Sequence, residues 1–175
     1  MHGEYKNWWD YSSRILKIRT TLKEGKYHGE FKQWLNTGQL WIHDNYLNGL
    51  KNGVCKRYWT STGVLFIREH YINGLINGEY KMWHENGELK WNFFCIDNKV
   101  QGDEIIYYDN CELESEYIKD KVEDNYKEWW NNGQLKIQTT HNKERKNNGK
   151  YKEWDKEGNL IKDTTYVEGV EVISS

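Results

Sequence analysis

Apolar and polar residues alternate along short stretches of this chain, and the alternation restarts at a nearly fixed interval. Leu40-Trp-Ile42-His-Asp44-Asn-Tyr46 and Leu65-Phe-Ile67-Arg-Glu69-His-Tyr71 place Leu, Ile and Tyr on one face of a half-buried strand. Leu89, Trp91, Phe93 and Cys95 repeat the pattern, as do Leu135 and Ile137. Ahead of each such stretch lies a shorter one, Gly-x-aromatic-Lys-x-Trp, which has too few residues for a helix and whose aromatic content predicts a second strand. Asn86-Gly87 and Asn132-Gly133, with Thr37-Gly38, Thr62-Gly63 and Glu157-Gly158, stand between the two strands. Asn and Gly tolerate positive φ, which tight hairpin turns demand. Asn48-Gly49 and Asn73-Gly74 link one hairpin to the next. Turns at both ends predict an all-β chain, an elongated single-layer antiparallel meander of about seven tandem hairpins and about 14 strands.

The units open at Gly3, Gly29, Gly53, Gly78, Gly102, Asp124 and Gly149, with spacings of 26, 24, 25, 24, 22 and 25 residues. A fixed period in this range signals a repeat array, here one domain over residues 1–175. Length changes fall in turns: near Tyr11-Ser12-Ser13, before Gly63, and around Lys143-Arg145. Residues 166–173 read as a half-repeat cap, with Val170-Glu-Val172-Ile173 as a closing strand. The framework positions are Gly29, Trp34, Gly38 and Leu40; Gly78, Trp83, Gly87 and Leu89; Trp129, Gly133 and Leu135; and Gly149, Trp154 and Gly158. Two registers fit the hairpin tip. A three-residue tip with Gly in a bulge pairs Trp83 with Leu89 and buries one against the other, whereas a two-residue Asn-Gly tip sends them to opposite faces. The first is preferred.

Composition sharpens this picture. Mean hydropathy is −1.04, a value typical of disorder, but 10 Trp, 13 Tyr and 4 Phe supply large apolar areas per residue. A net charge of −2 removes any global pull toward nucleic acid or anionic membrane. Cys55, Cys95 and Cys111 are odd in number and lack CxxC spacing, which indicates neither a disulfide framework nor a zinc site. No apolar run approaches the ~20 residues needed to span a bilayer. Met1-His-Gly-Glu-Tyr-Lys enters the first repeat directly, leaving no signal peptide, so a cytoplasmic location is expected, in the host if the source is viral.

The phrase Gly78-Glu-Tyr-Lys-Met-Trp83-His-Glu-Asn-Gly87-Glu-Leu89, followed by Tyr-x-x-Gly and an Asn-Gly that opens the next unit, resembles MORN repeats. It is most similar to the variant found in bacterial proteins described as antitoxins and in large DNA viruses. The resemblance covers residues 3–170; the second, fourth and seventh units match well. The fifth departs at Glu104, Ile105 and Cys111, and the sixth opens with Asp124 where the others have Gly. The resemblance implies a sheet of hairpins used for binding or scaffolding, with no cofactor. No catalytic residues belong to the repeat.

Two ladders carry the remaining chemistry. Lys6, Lys32, Lys56, Lys81, Lys127 and Lys152 share one repeat position, and successive hairpins space them roughly 9–10 Å apart. Such a stripe can track phosphates or lipid headgroups, a role often proposed for MORN proteins. Glu4, Glu30, Glu79 and Asp103 lie two residues earlier on the same face, and alternating signs cancel at range. A solvated structural face is the favoured reading. The second ladder is Trp8, Trp34, Trp83, Trp129 and Trp154, with Tyr58 and Tyr107. Trp9, Trp59 and Trp130, with Tyr108, point to the other face and make a candidate aromatic surface. The six histidines share no repeat position, and no HExxH, Walker, GxGxxG or GxSxG motif occurs, so neither a metal site nor an enzyme is expected. The leading function is a non-catalytic protein-interaction or scaffold module, in an antitoxin-like role or another, with a protein partner and no nucleic acid. Peripheral membrane binding through the Lys ladder and carbohydrate binding through the Trp ladder are the alternatives.

Overall fold

The computed structural model describes residues 2–10, 12, 14–120 and 123–172. No described residue is helical. The first strands are β1 (Gly3–Asp10), β2 (Ile15–Lys23), β3 (Lys26–Trp34), β4 (Leu40–Leu47), β5 (Leu50–Lys51), β6 (Gly53–Tyr58), β7 (Leu65–Ile72) and β8 (Leu75–Trp83). They are followed by β9 (Leu89–Ile96), β10 (Lys99–Tyr107), β11 (Leu113–Ile118), β12 (Asp124–Trp129), β13 (Leu135–His141), β14 (Asn147–Trp154), β15 (Leu160–Val167) and β16 (Val170–Val172). Hydrogen-bonded neighbours follow chain order in one antiparallel meander, with β5 paired only to β4. Sixteen strands replace the expected fourteen, because Asn52 splits β5 from β6 and the closing segment pairs as β16. Ile173 lies outside the described residues, as do Tyr11 and Ser13 of the first hairpin tip.

The tips adopt the three-residue form. Leu35 N–H bonds to the Gln39 carbonyl at 2.9 Å and Gly38 N–H to the Leu35 carbonyl at 3.0 Å, with Gly38 at φ 87°. His84, Glu88 and Gly87 repeat this geometry. That positive φ is the bulge conformation in which glycine bears no Cβ penalty. The tip register brings Trp34 opposite Leu40, Tyr58 opposite Leu65, Trp129 opposite Leu135 and Trp154 opposite Leu160. In the third unit Gly63 N–H reaches back to the Trp59 carbonyl, so the extra residue is absorbed in the tip. The connecting turns have two residues: Leu47 pairs with Leu50 and Ile72 with Leu75. Asn48 and Gly49 have φ of 51° and 90°, so both central residues are left-handed, as a type I′ turn requires. Around Lys143 the connection lengthens by one, closed by Asn142 N–H to the Lys146 carbonyl.

One feature departs from strict alternation. Next to the pairs of Trp8, Trp34, Tyr58, Tyr107, Trp129 and Trp154 with Leu the register slips by one residue, leaving Lys17, Trp41, Phe66, Glu114, Lys136 and Ile161 without a cross-strand partner. These are β-bulges. Leu40 and Ile42 are therefore separated by a bulge residue, and the period-two face predicted from Leu40 begins regularly only at Ile42.

Two compact units divide the chain, residues 1–89 with 94–101 and residues 90–93 with 102–175. In the first, the strand register lines up Tyr5, Thr20, Phe31, Asp44, Cys55, Glu69 and Tyr80 on one face. Thr20, Phe31, Asp44 and Cys55 are buried there, and the rings of Tyr27, Phe31 and Tyr46 meet at 5.2–5.9 Å. In the second unit the matching row is Glu104, Tyr117, Tyr126, Thr139, Tyr151 and Thr164, with Tyr117 and Thr139 buried. The ladder tryptophans are half-buried; the most enclosed layer is this row of Tyr, Phe, Thr and Cys.

Candidate functional site

The ladder lysines lie on the face opposite the buried row, and the strands between them fill the gaps. Across the first unit the register runs Lys6–Arg19–Lys32–His43–Lys56–Arg68–Lys81. Seven basic side chains thus occupy neighbouring strands at a spacing of roughly 4.8 Å, half that expected from the lysines alone. Arg19, His43 and Arg68 come from the return strand of each hairpin, three residues after Leu16, Leu40 and Leu65. That fixed offset is visible in the sequence, but pairing it with the lysines requires counting through the bulge.

Carboxylates partly neutralise the row. Glu4 bridges Lys6 at 2.9 Å and Arg19 at 2.8 Å; Glu30 bridges Lys32 at 2.9 Å and His43 at 3.2 Å; Glu79 bridges Arg68 at 2.9 Å and Lys81 at 3.2 Å. Bonds from Lys6, Lys32 and Lys81 respectively, each seconded by the other neighbour, hold these three carboxyls below their usual range. The third repeat carries Val54 where the first, second and fourth carry Glu, and Lys56 has no ion-pair partner among the described residues. Within this row six permanent cations thus stand beside three carboxylates. Further along the same face, Leu47 and Leu50 are 45% and 53% exposed and Ile72 and Leu75 are 48% and 40% exposed. They form an apolar strip beside the charged row.

The second unit presents a different row: Ile105–Glu116–Lys127–Gln138–Lys152–Asp163. Lys127 bridges Glu116 at 3.0 Å, and Lys152 lies 3.4 Å from Asp163. The six lysines therefore sit in two distinct settings, basic neighbours in the first unit and acidic or amide neighbours in the second.

Trp9, Trp59 and Trp130 prove to be tied into the array. Their indole N–H groups donate to the backbone carbonyls of Trp34, Trp83 and Trp154 at 2.8, 3.3 and 3.1 Å, one repeat ahead. The Tyr108 hydroxyl donates to the Trp129 carbonyl at 2.8 Å in the same manner. The bulge residues cover these rings: the Lys17 ammonium lies 4.3 Å from Trp9, Phe66 4.3 Å from Trp59, and Lys136 4.6 Å from Trp130. Each ring thus joins one hairpin tip to the next. Trp9, 44% exposed, is the most open of the three. No sequence motif signals these bonds, because they depend on the tip geometry.

Cys55 is fully buried, and burial pushes its thiol up to about 11, which keeps it protonated and non-nucleophilic at neutral pH. Asp124, standing where other units have Gly, is buried and accepts bonds from Tyr117 Oη at 2.9 Å, Lys143 Nζ at 2.8 Å and the Asp120 N–H at 3.1 Å. It serves as a polar junction between β11 and β12.

Residues 27–48, 76–90, 125–143 and 147–168 match a family described as MORN repeat variant. The first, third and fourth segments each take in a hairpin tip and both flanking strands, and the third begins just after Asp124. No curated protein matches the chain. These matches fall on hairpins that share one tip geometry and each accept one inter-repeat bond, and the four matched segments are MORN repeats of the variant type.

Proposed function

We propose that this chain is a non-catalytic interaction module whose first unit engages an acidic protein surface. The observation that carries this reading is the uninterrupted row Lys6–Arg19–Lys32–His43–Lys56–Arg68–Lys81. The framework side chains are spent on holding repeats together, so partner choice falls to exposed positions that vary between units. Charged residues beside exposed Leu47, Leu50, Ile72 and Leu75 fit the polar rim and apolar centre of a protein interface. Blocking a partner enzyme, as an antitoxin-like protein does, is one use of such a face.

An anionic membrane is the second reading, favoured by the same row. Glu4, Glu30 and Glu79 lie among the cations and face the bilayer unfavourably, which supports the protein partner over the lipid. The test compares the wild-type chain with a Lys32→Glu, Lys56→Glu, Arg68→Glu variant in affinity capture and in flotation with phosphatidylserine vesicles. Loss of one specific captured protein, with no flotation of either chain, is expected. Flotation of the wild type alone would replace the protein reading by the membrane one, and identical capture by both chains would remove the basic row from the function.

A further inference from the structure

Two hollows occupy the same place in the repeat but differ in content. In the first unit a hollow of about 80 Å³ is lined by Glu4, Arg19, Thr20, Thr21, Glu30 and Lys32. It is small because the Glu4–Arg19 and Glu30–Lys32 ion pairs fill it, at 2.8 and 2.9 Å. The register places the matching site of the sixth and seventh repeats at Asn125, Gln138, Thr139, Thr140, Lys150 and Lys152. There the hollow measures about 420 Å³ and extends over Trp154.

The exchanges between the two sites explain the difference. Asn125 stands for Glu4 and Lys150 for Glu30, so both carboxylates are gone. Gln138 stands for Arg19, removing the longest cation, while Lys152 keeps the place of Lys32. Lys150 has no ion-pair partner among the described residues, and the only carboxylate on Lys152 is the exposed Asp163 at 3.4 Å. In the first, second and fourth repeats this position holds a carboxylate against the ladder lysine, whereas the seventh places a second cation, Lys150, beside Lys152.

We propose that this hollow binds a small anionic sugar, a pyranose bearing a carboxylate or phosphate. The anion sits between Lys150 and Lys152, in the place that the Glu30 carboxylate takes beside Lys32. The ring lies on Trp154, whose indole shares the face of Lys150 and Lys152 along β14. The side-chain amides of Asn125 and Gln138 supply donors and acceptors for ring hydroxyls. The volume lies within the ~300–1,000 Å³ of small-ligand sites and exceeds that of the matching hollow in the first unit. None of these residues belongs to the basic row of the proposed protein surface, so this site stands or falls separately.

The test is NMR titration of the full chain with D-glucuronate, glucose phosphate, D-glucose and inorganic phosphate. The anionic sugars should shift the Trp154 indole N–H and the Asn125 and Gln138 side-chain amides, and whichever sugar binds tighter identifies the anion. D-glucose and inorganic phosphate, each carrying half of the recognised chemistry, should bind about tenfold or more weakly. Lys150→Glu rebuilds the Glu30–Lys32 arrangement inside the hollow, and should abolish the shifts while leaving the rest of the spectrum in place. No response to either anionic sugar, an equal response to inorganic phosphate, or an undiminished response in Lys150→Glu would each overturn the proposal.

Discussion

Arg57→Met should be the most damaging single substitution of a charged residue in the first unit. Asp44 is 2% exposed, in the buried row between Phe31 and Cys55. Arg57 grips it with two guanidinium bonds, one of them Nη2 to Oδ2 at 2.9 Å, and Lys51 stands 3.6 Å away. Removing the guanidinium strands a buried carboxylate, a change that ordinarily costs about 3–5 kcal/mol. Lys51 is 25% exposed and close enough to compensate in part, which sets the expectation at about 3 kcal/mol. With a urea slope of roughly 2 kcal/mol/M, the unfolding midpoint falls by about 1.5 M. Adding Asp44→Leu removes the stranded charge, and the double variant should recover most of the loss, since apolar replacement of a whole buried pair is close to neutral. Because repeat arrays open in parts, tryptophan fluorescence should be paired with thiol labelling of Cys55, which is sealed until the first unit opens. A shift under about 0.5 M for Arg57→Met, or a double variant as weak as the single one, would refute the reasoning.

Acid should weaken the second unit through Asp124. Burial pushes its pKa up, but the bonds from Lys143, Tyr117 and the Asp120 N–H outweigh burial and hold it below the usual aspartate range. With the folded value the lower one, its stabilisation is complete above the ordinary pKa near ~3.9 and is lost as pH falls through the folded value; Asp124→Asn should therefore flatten this part of the acid-unfolding curve, measured by fluorescence below about pH 4. Trp130→Phe removes an inter-repeat bond of 3.1 Å from a half-buried ring and should cost about 1–2 kcal/mol, while Trp9→Phe, at a ring 44% exposed, should cost about 0.5 kcal/mol. Equal and negligible losses in thermal melts would show that these indoles do not join the repeats.

The strand content and the turn positions were legible in the sequence because they depend on local chemistry. Asn48 and Gly49 both tolerate the left-handed conformation that a two-residue turn needs, and Gly38 and Gly87 supply the tip bulge through their own backbone freedom. The tip length in turn fixed which Trp meets which Leu. Beyond the tip, local rules stop. The bulge after each Leu shifts the return strand by one residue, and that shift alone decides that Arg19, His43 and Arg68 complete a row with the lysines. The same shift brings Lys17, Phe66 and Lys136 over Trp9, Trp59 and Trp130, whose indole N–H groups bond to the next repeat. Asp44 and Arg57 lie on different strands, and nothing in the spacing of their neighbours distinguishes a buried pair from two solvated charges. The exchange of Glu30 for Lys150 was readable as a letter, but only the tertiary structure shows that it empties a hollow, because the lost carboxylate had filled space contributed by the neighbouring repeat.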